Sequence, residues 1–280
     1  MACVVVLLCA GLPAHAQTPT CDGLGTEGKA LAAKLLASQY PYDCCDDTIA
    51  RCLGRKPVCR LVHRLAENIC RRVADGQDED KIVRGLSRRA RSMMSGKKAP
   101  IDLRPEVAPV VGEPSAPVAL VEYACARCPF CTKITPPLYQ AIIEGQLKGK
   151  ARLYFKVFPI RSHEYSKETG LGFMASIALE KFWPFMLLSY ERFDHFCLKL
   201  QKDWATEAGM DPEAFGQLVA DPNIRKLLVE SKKEGLRNKV TETPTFYING
   251  RKYFGDLDYA EVVDVLEEEY ERVKGLDHLP

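Results

Sequence analysis

Beyond its first residues the 280-residue sequence nowhere approaches 18 uninterrupted apolar positions, so no helix spanning a bilayer is expected. A net charge of +2 leaves no basic surplus to draw in a polyanion, which argues against general nucleic-acid binding. GxSxG, HExxH and Walker sequences are absent. The pattern Gly23-x-Gly25-x-x-Gly28 has no strand leading into it, so nucleotide chemistry lacks its signature. CxxCH is missing too, which removes the usual covalent attachment of heme. There is no internal repeat and no low-complexity tract. Apolar residues at 46% and charged residues at 27% exclude a disordered or collagen-like polymer.

Cysteine is what the chain has in excess, with 12 residues, too many for an ordinary reducing compartment. The start of the sequence accounts for this. Residues 3–12, CVVVLLCAGL, form a short apolar run, followed by Pro13 and Ala14-His15-Ala16, a small-x-small cleavage pattern. Residues 1–16 therefore read as an export signal cut after Ala16, too short to remain as an anchor. The expected product is a soluble chain in the periplasm or outside the cell. It keeps ten cysteines, at positions 21, 44, 45, 52, 59, 70, 125, 128, 131 and 197.

Composition then divides the chain. Residues 21–100 carry 16 Lys/Arg against 10 Asp/Glu, and residues 101–280 carry 23 against 27. Between them, residues 105–117, PEVAPVVGEPSAP, hold four prolines and no periodicity, as a stiff extended linker does. We expect a cysteine-rich helical domain over residues 17–100, a linker over 101–117 and an α/β domain over 118–280, with residues from about 105 folding alone. In the first part Leu31, Leu35, Leu61, Leu65, Ile69 and Val73 recur at helical spacing. Such a small core invites disulfides, with Cys21, Cys44, Cys45, Cys52, Cys59 and Cys70 as candidates; six cysteines permit 15 pairings. A second redox relay at Cys44-Cys45 is the alternative. In the second part strands are expected over 118–123, 151–158 and 245–248. Helices are expected at 132–146 and at the end of the chain, and a mostly helical insertion over about 165–235.

The chemistry concentrates in Cys125-Ala-Arg-Cys128-Pro129-Phe130-Cys131, directly after a predicted strand and at the start of a helix. The N-terminal field and backbone donors of a helix stabilise a thiolate there, so Cys128 is the expected attacking sulfur. Cys131, one turn further in, is placed to resolve. Two other readings of the same residues compete. CxxC forms structural bridges, and CxxCxxC is a zinc spacing, although zinc needs a fourth ligand and no second CxxC exists. His163 and His195 read as packing or solvent-facing residues.

From about residue 105 onward the sequence resembles the thioredoxin superfamily, and within it the DsbA-like thiol–disulfide oxidoreductases of bacterial envelopes. Cys128-Pro129-Phe130-Cys131 has the family's Cys-Pro-aromatic-Cys form. Glu122 stands six residues before Cys128, where the family buries an acid. Thr243-Pro244 before Thr245-Phe246 is similar to the cis-proline loop. The resemblance implies a thioredoxin-like α/β fold with a helical insertion, preceded by a small all-α disulfide-stapled domain. It implies catalysis by Cys128 and Cys131, supported by Pro244, Thr243 and Glu122. Pro129, Phe130 and Arg127 would tune the redox pair. Cys125 departs from the family pattern and is expected either paired with Cys197 or buried as a small apolar residue. The implied partners are unfolded or cysteine-containing exported proteins and a membrane redox protein, with no cofactor, metal, nucleotide or nucleic acid. Oxidation of substrates is the favoured direction. A reductase or isomerase of cytochrome c maturation, and a non-catalytic cysteine-rich binding or chaperone module, are the alternatives.

Overall fold

The computed structural model describes residues 20–276, so the export segment read at 1–16 lies outside the described residues. The chain forms two compact units that divide between Glu79 and Asp80.

The first unit contains α1 (Thr26–Ser38), α2 (Ile49–Leu53) and α3 (Arg60–Ala74). In α3 the residues Val62, Leu65, Ala66, Ile69 and Val73 fall on one stripe and are buried, as a spacing of three and four dictates. Helix α1 contributes Ala32 and Leu35 to the same unit's core. Thr48 caps α2 by accepting from the Arg51 N–H. Six cysteines form three bridges, Cys21–Cys70, Cys44–Cys59 and Cys45–Cys52. Cys21–Cys70 joins residues 49 apart, so by loop entropy it constrains the unfolded chain most.

The second unit opens with α4 (Glu79–Met94), which the charge boundary near residue 100 had assigned to the first part. The physical reason is Arg89. Its side chain is fully buried, and its guanidinium pairs with Asp264 and, at 2.6 Å, with Glu268, both on the terminal helix α11 (Tyr259–Lys274). The expected linker is docked as well. Ala99 N–H donates to the Gly250 carbonyl at 2.8 Å, Asp102 N–H to Glu234 at 2.9 Å, and the buried Lys156 ammonium to the Asp102 carbonyl at 2.8 Å. The compact unit starts some 25 residues before residue 105.

Among the described residues five strands follow the order β1-β3-β2-β4-β5, with β1 (Val110–Val111), β2 (Val118–Ala124), β3 (Ala151–Val157), β4 (Thr245–Ile248) and β5 (Arg251–Lys252). Only β2 and β3 are parallel, joined through α5 (Pro129–Ile143); the other three pairings are antiparallel. Between β3 and β4 lie α6 (Ser166–Ala178), α7 (Phe182–Glu191), α8 (Leu200–Glu207), α9 (Pro212–Ala220) and α10 (Pro222–Arg237), the expected helical insertion. Asp211 and Asp221 cap α9 and α10, each with proline at the first helical turn. Asn249 and Gly250 both take positive φ (47° and 82°), the backbone that a two-residue hairpin turn requires between β4 and β5.

Alternation along β2 sorts the two faces of the sheet. Val121 and Tyr123 join Tyr154, Phe158, Val240 and Tyr247 on one side. Ala124 joins Phe155, Val157 and the aromatic residues of the helical insertion on the other, in the same cluster as Cys125, Cys128 and Cys131. Glu122 shares that second face by its parity.

Candidate active site

Strand β2 ends at Ala124, and a turn closed by Cys128 N–H donating to the Cys125 carbonyl (3.1 Å) delivers the chain into α5. Cys128 occupies the N-cap of α5 in extended conformation (φ −103°, ψ 118°). Pro129 follows at the first helical position, where its missing N–H costs nothing. The N–H groups of Phe130 and Cys131 are left to face the Cys128 sulfur, which also lies 3.2 Å from the Thr243 carbonyl. The Thr243–Pro244 peptide is cis, as the loop pattern implied.

The two sulfurs are unequal. A hydrogen bond from the Cys131 thiol is the largest influence on Cys128; Thr243 and the N–H groups of Cys131 and Phe130 add to it and outweigh burial, pulling the Cys128 pKa down to about 5. Cys131 has no exposed surface, and burial first, then its bond to Cys128 and the nearby Glu122, push its thiol well up. The Glu122 carboxyl is fully buried and accepts from Thr135 Oγ1 at 2.6 Å. Desolvation raises its pKa to about 8, so it is mostly protonated at neutral pH. Its Oε2 has no hydrogen-bond partner among the described residues.

Cys125 and Cys197 do not pair. Cys125 is buried, with its sulfur 3.4 Å from the Arg127 N–H and 3.4 Å from His163 Nδ1, and burial pushes its pKa up. Cys197 lies exposed on the loop before α8. Burial as a small residue, the other expected fate of Cys125, is the one observed. Arg127 is likewise not directed at Cys128. Its guanidinium donates to the Phe193 carbonyl at 2.8 Å and stacks on the Phe193 and Phe196 rings, 4.2 and 4.6 Å from their centres. Burial draws its pKa down, and the carboxylates of Asp194 and Glu164 act against that. Phe130 is 67% exposed beside the nucleophile position, an apolar surface next to the redox pair.

Tyr190 and His163 belong to this site, although the sequence suggested only packing or solvent contact for His163. Tyr190, on α7, is 4% exposed and donates its hydroxyl to the Cys125 carbonyl at 3.2 Å, bracing the turn that carries Cys128. The only available signal was general: a tyrosine on a wholly apolar helix face must find a partner for its hydroxyl. Among the described residues no group of three or more His, Cys, Asp or Glu is arranged to hold a metal ion, and CxxCxxC does not gather one.

Residues 105–268 match the family described as Thioredoxin. Among curated proteins, the chain is 28% identical over 177 residues to Na(+)/H(+) antiporter NhaA 1 of Mycolicibacterium gilvum, covering 60% of this chain and 27% of the antiporter. The chain thus spans about a quarter of the length of the antiporters it matches, and no helix among its described residues is long and apolar enough to cross a membrane. It is 27% identical over 168 residues to a probable disulfide bond formation protein D of Bacillus cereus, covering 53% of this chain and 73% of that protein. Among solved structures, oxidised BdbD from Bacillus subtilis superposes with a TM-score of 0.54 at 20% identity, covering 62% of this chain and 97% of that one.

Proposed function

The chain belongs to the thioredoxin family, and on that premise we propose that it is an exported thiol–disulfide oxidoreductase that passes its Cys128–Cys131 disulfide to the cysteines of other exported proteins. The observation that carries this reading is the inequality of the two sulfurs. Cys128 has its pKa drawn down to about 5 at the start of α5, and Cys131 is shielded and pushed up behind it.

In the oxidised enzyme a substrate thiolate attacks Cys128, and Cys131 leaves with the electron pair of the broken S–S bond. Glu122, mostly protonated at neutral pH and buried next to Cys131, supplies the proton that the leaving sulfur takes up. A second substrate thiolate then attacks the substrate sulfur of the mixed disulfide. The substrate disulfide forms, and Cys128 departs as a stabilised thiolate. That stabilisation belongs to the reduced enzyme alone, so it favours oxidation of the substrate. An extended substrate chain would lie beside Thr243, whose carbonyl faces Cys128, with exposed Phe130 offering an apolar contact. Reoxidation calls for a membrane redox partner, and the export segment and six bridged cysteines fit an oxidising envelope or extracellular location.

Oxidative refolding of a reduced, unfolded protein of known disulfide content tests this reading. The oxidised chain should restore the substrate's activity stoichiometrically while its own Cys128 and Cys131 become alkylatable. Failure to transfer a disulfide, with the chain folded and oxidised, refutes it.

A further inference from the structure

We propose that the first unit holds a second exchange-competent disulfide, Cys44–Cys59, which accepts electrons from a reduced dithiol. Three observations, taken together, single out this bridge. The first is access. Cys44 is exposed although its partner Cys59 is buried at 6%; in the other two bridges Cys45 and Cys21 are half-buried and Cys52 and Cys70 are 2% and 0% exposed, so neither has an exposed cysteine. An open cleft of about 390 Å³ lies against Cys44 and Cys45, walled by Asp43, Asp46 and Arg55. The second is backbone. Cys44 sits at φ 62°, the left-handed region that a residue with a β-carbon adopts at a cost. The third is the leaving group. Cys59 is the N-cap of α3, a 15-residue helix with no acid in its first turn and no other side-chain cap, so a departing Cys59 thiolate meets the positive end of the helix. Cys128 occupies the equivalent position on α5.

A thiolate of the dithiol attacks the exposed Cys44 sulfur, a mixed disulfide forms there, and Cys59 leaves with the electron pair of the broken bond. The second thiolate attacks the dithiol's own sulfur in that mixed disulfide, releasing Cys44 as a thiolate. The dithiol is oxidised to a disulfide, and Cys44 and Cys59 are reduced by two electrons. Arg55 is tied to Asp46 at 3.1 Å and to Asp47 at 3.3 Å, so the cleft wall keeps an acidic character and favours neutral or cationic thiols over anionic ones.

The test uses the full-length chain with Cys128→Ser and Cys131→Ser, so that its outcome does not depend on the activity proposed above. Oxidised protein is exposed to dithiothreitol, or in a second arm to glutathione, then quenched with acid, alkylated and mapped by peptide mass. The expected result is that Cys44 and Cys59 become labelled together at least tenfold faster than Cys45, Cys52, Cys21 or Cys70, with glutathione slower than dithiothreitol. Earlier opening of another bridge, or simultaneous opening of all three, overturns the proposal. The same mapping on wild-type protein covers the case in which the double variant fails to fold. Cys59→Ser and Cys44→Ser variants assign the attacked sulfur. The free Cys44 of the first should react with Ellman's reagent at least tenfold faster than the free Cys59 of the second, and the opposite order contradicts attack at Cys44.

Discussion

Replacing Cys131 with alanine should raise the pKa of Cys128, because the Cys131 thiol is the largest single influence holding it down to about 5. A hydrogen bond to a charged group contributes about 1.5–3 kcal/mol, which at about 1.4 kcal/mol per pKa unit is a rise of roughly one to two units. With a shift of about 1.5 units, the thiolate fraction at about pH 6 falls from about 0.9 to about 0.25. Cys131→Ser keeps a donor at this position and should recover most of the loss. Ultraviolet thiolate absorbance across a pH titration is the appropriate assay. Alkylation rates are less decisive, since a sulfur's intrinsic nucleophilicity rises with its pKa. In the wild type the sign runs with the depressed pKa: stabilisation of the reduced protein is complete above the ordinary value of 9.0 and is lost as pH falls through about 5. At neutral pH part of this stabilisation is expressed, and it makes the disulfide more oxidising than an unperturbed pair. A Cys131→Ala midpoint that stays at about 5 would refute this reasoning and assign the depression to the helix terminus and Thr243.

Glu122→Gln should stabilise the protein by about 3 kcal/mol near neutral pH, because a fully buried carboxyl raised to about 8 is held protonated against its ordinary 4.5. That cost is absent below the unfolded value and grows until pH passes the folded one, so chemical denaturation should show the gain fading towards about pH 4; a variant less stable than wild type at neutral pH contradicts the burial argument. A chain beginning at Asp80 should melt cooperatively. One beginning at residue 105 loses Arg89 from Asp264 and Glu268 and should be less stable by about 3–5 kcal/mol, with equal melting temperatures as the contrary result. Tyr190→Phe leaves the Cys125 carbonyl without its hydroxyl partner and should cost about 1–2 kcal/mol in urea unfolding of the reduced protein, a loss that an unchanged midpoint would rule out.

The parts of the fold legible in the sequence were those written in local pattern. The short apolar run of residues 118–123, the apolar stripe through Leu61, Leu65 and Ile69, and Asn249-Gly250 each state a strand, a helix period or a turn without reference to the rest of the chain. Cys128 at a helix start was legible for the same reason, since strand, proline and cysteine spacing are all contiguous. What escaped was set by partners far along the chain. Arg89 reads locally as one more basic side chain on a charged helix, and only its acids, some 175–179 positions later, reveal that it is buried. Composition therefore set the boundary near residue 100, where the folded unit begins at 80. Arg127 stands next to Cys128 in sequence, but its planar cation finds two aromatic faces on the loop after α7, and sequence adjacency misassigned its charge. Pairing Cys125 with Cys197 was a matter of counting cysteines, and counting carries no geometry.

The claim at the centre of this account is that Cys128 attacks or is attacked and Cys131 resolves. It is tested most directly by comparing Cys131→Ala with Cys128→Ala after each is mixed with an unfolded, cysteine-containing exported protein, quenched in acid and resolved without reductant. A mixed disulfide should accumulate in Cys131→Ala and map by peptide mass to Cys128, with little or none in Cys128→Ala. Equal trapping by the two variants, or an adduct mapped to Cys125, would contradict it.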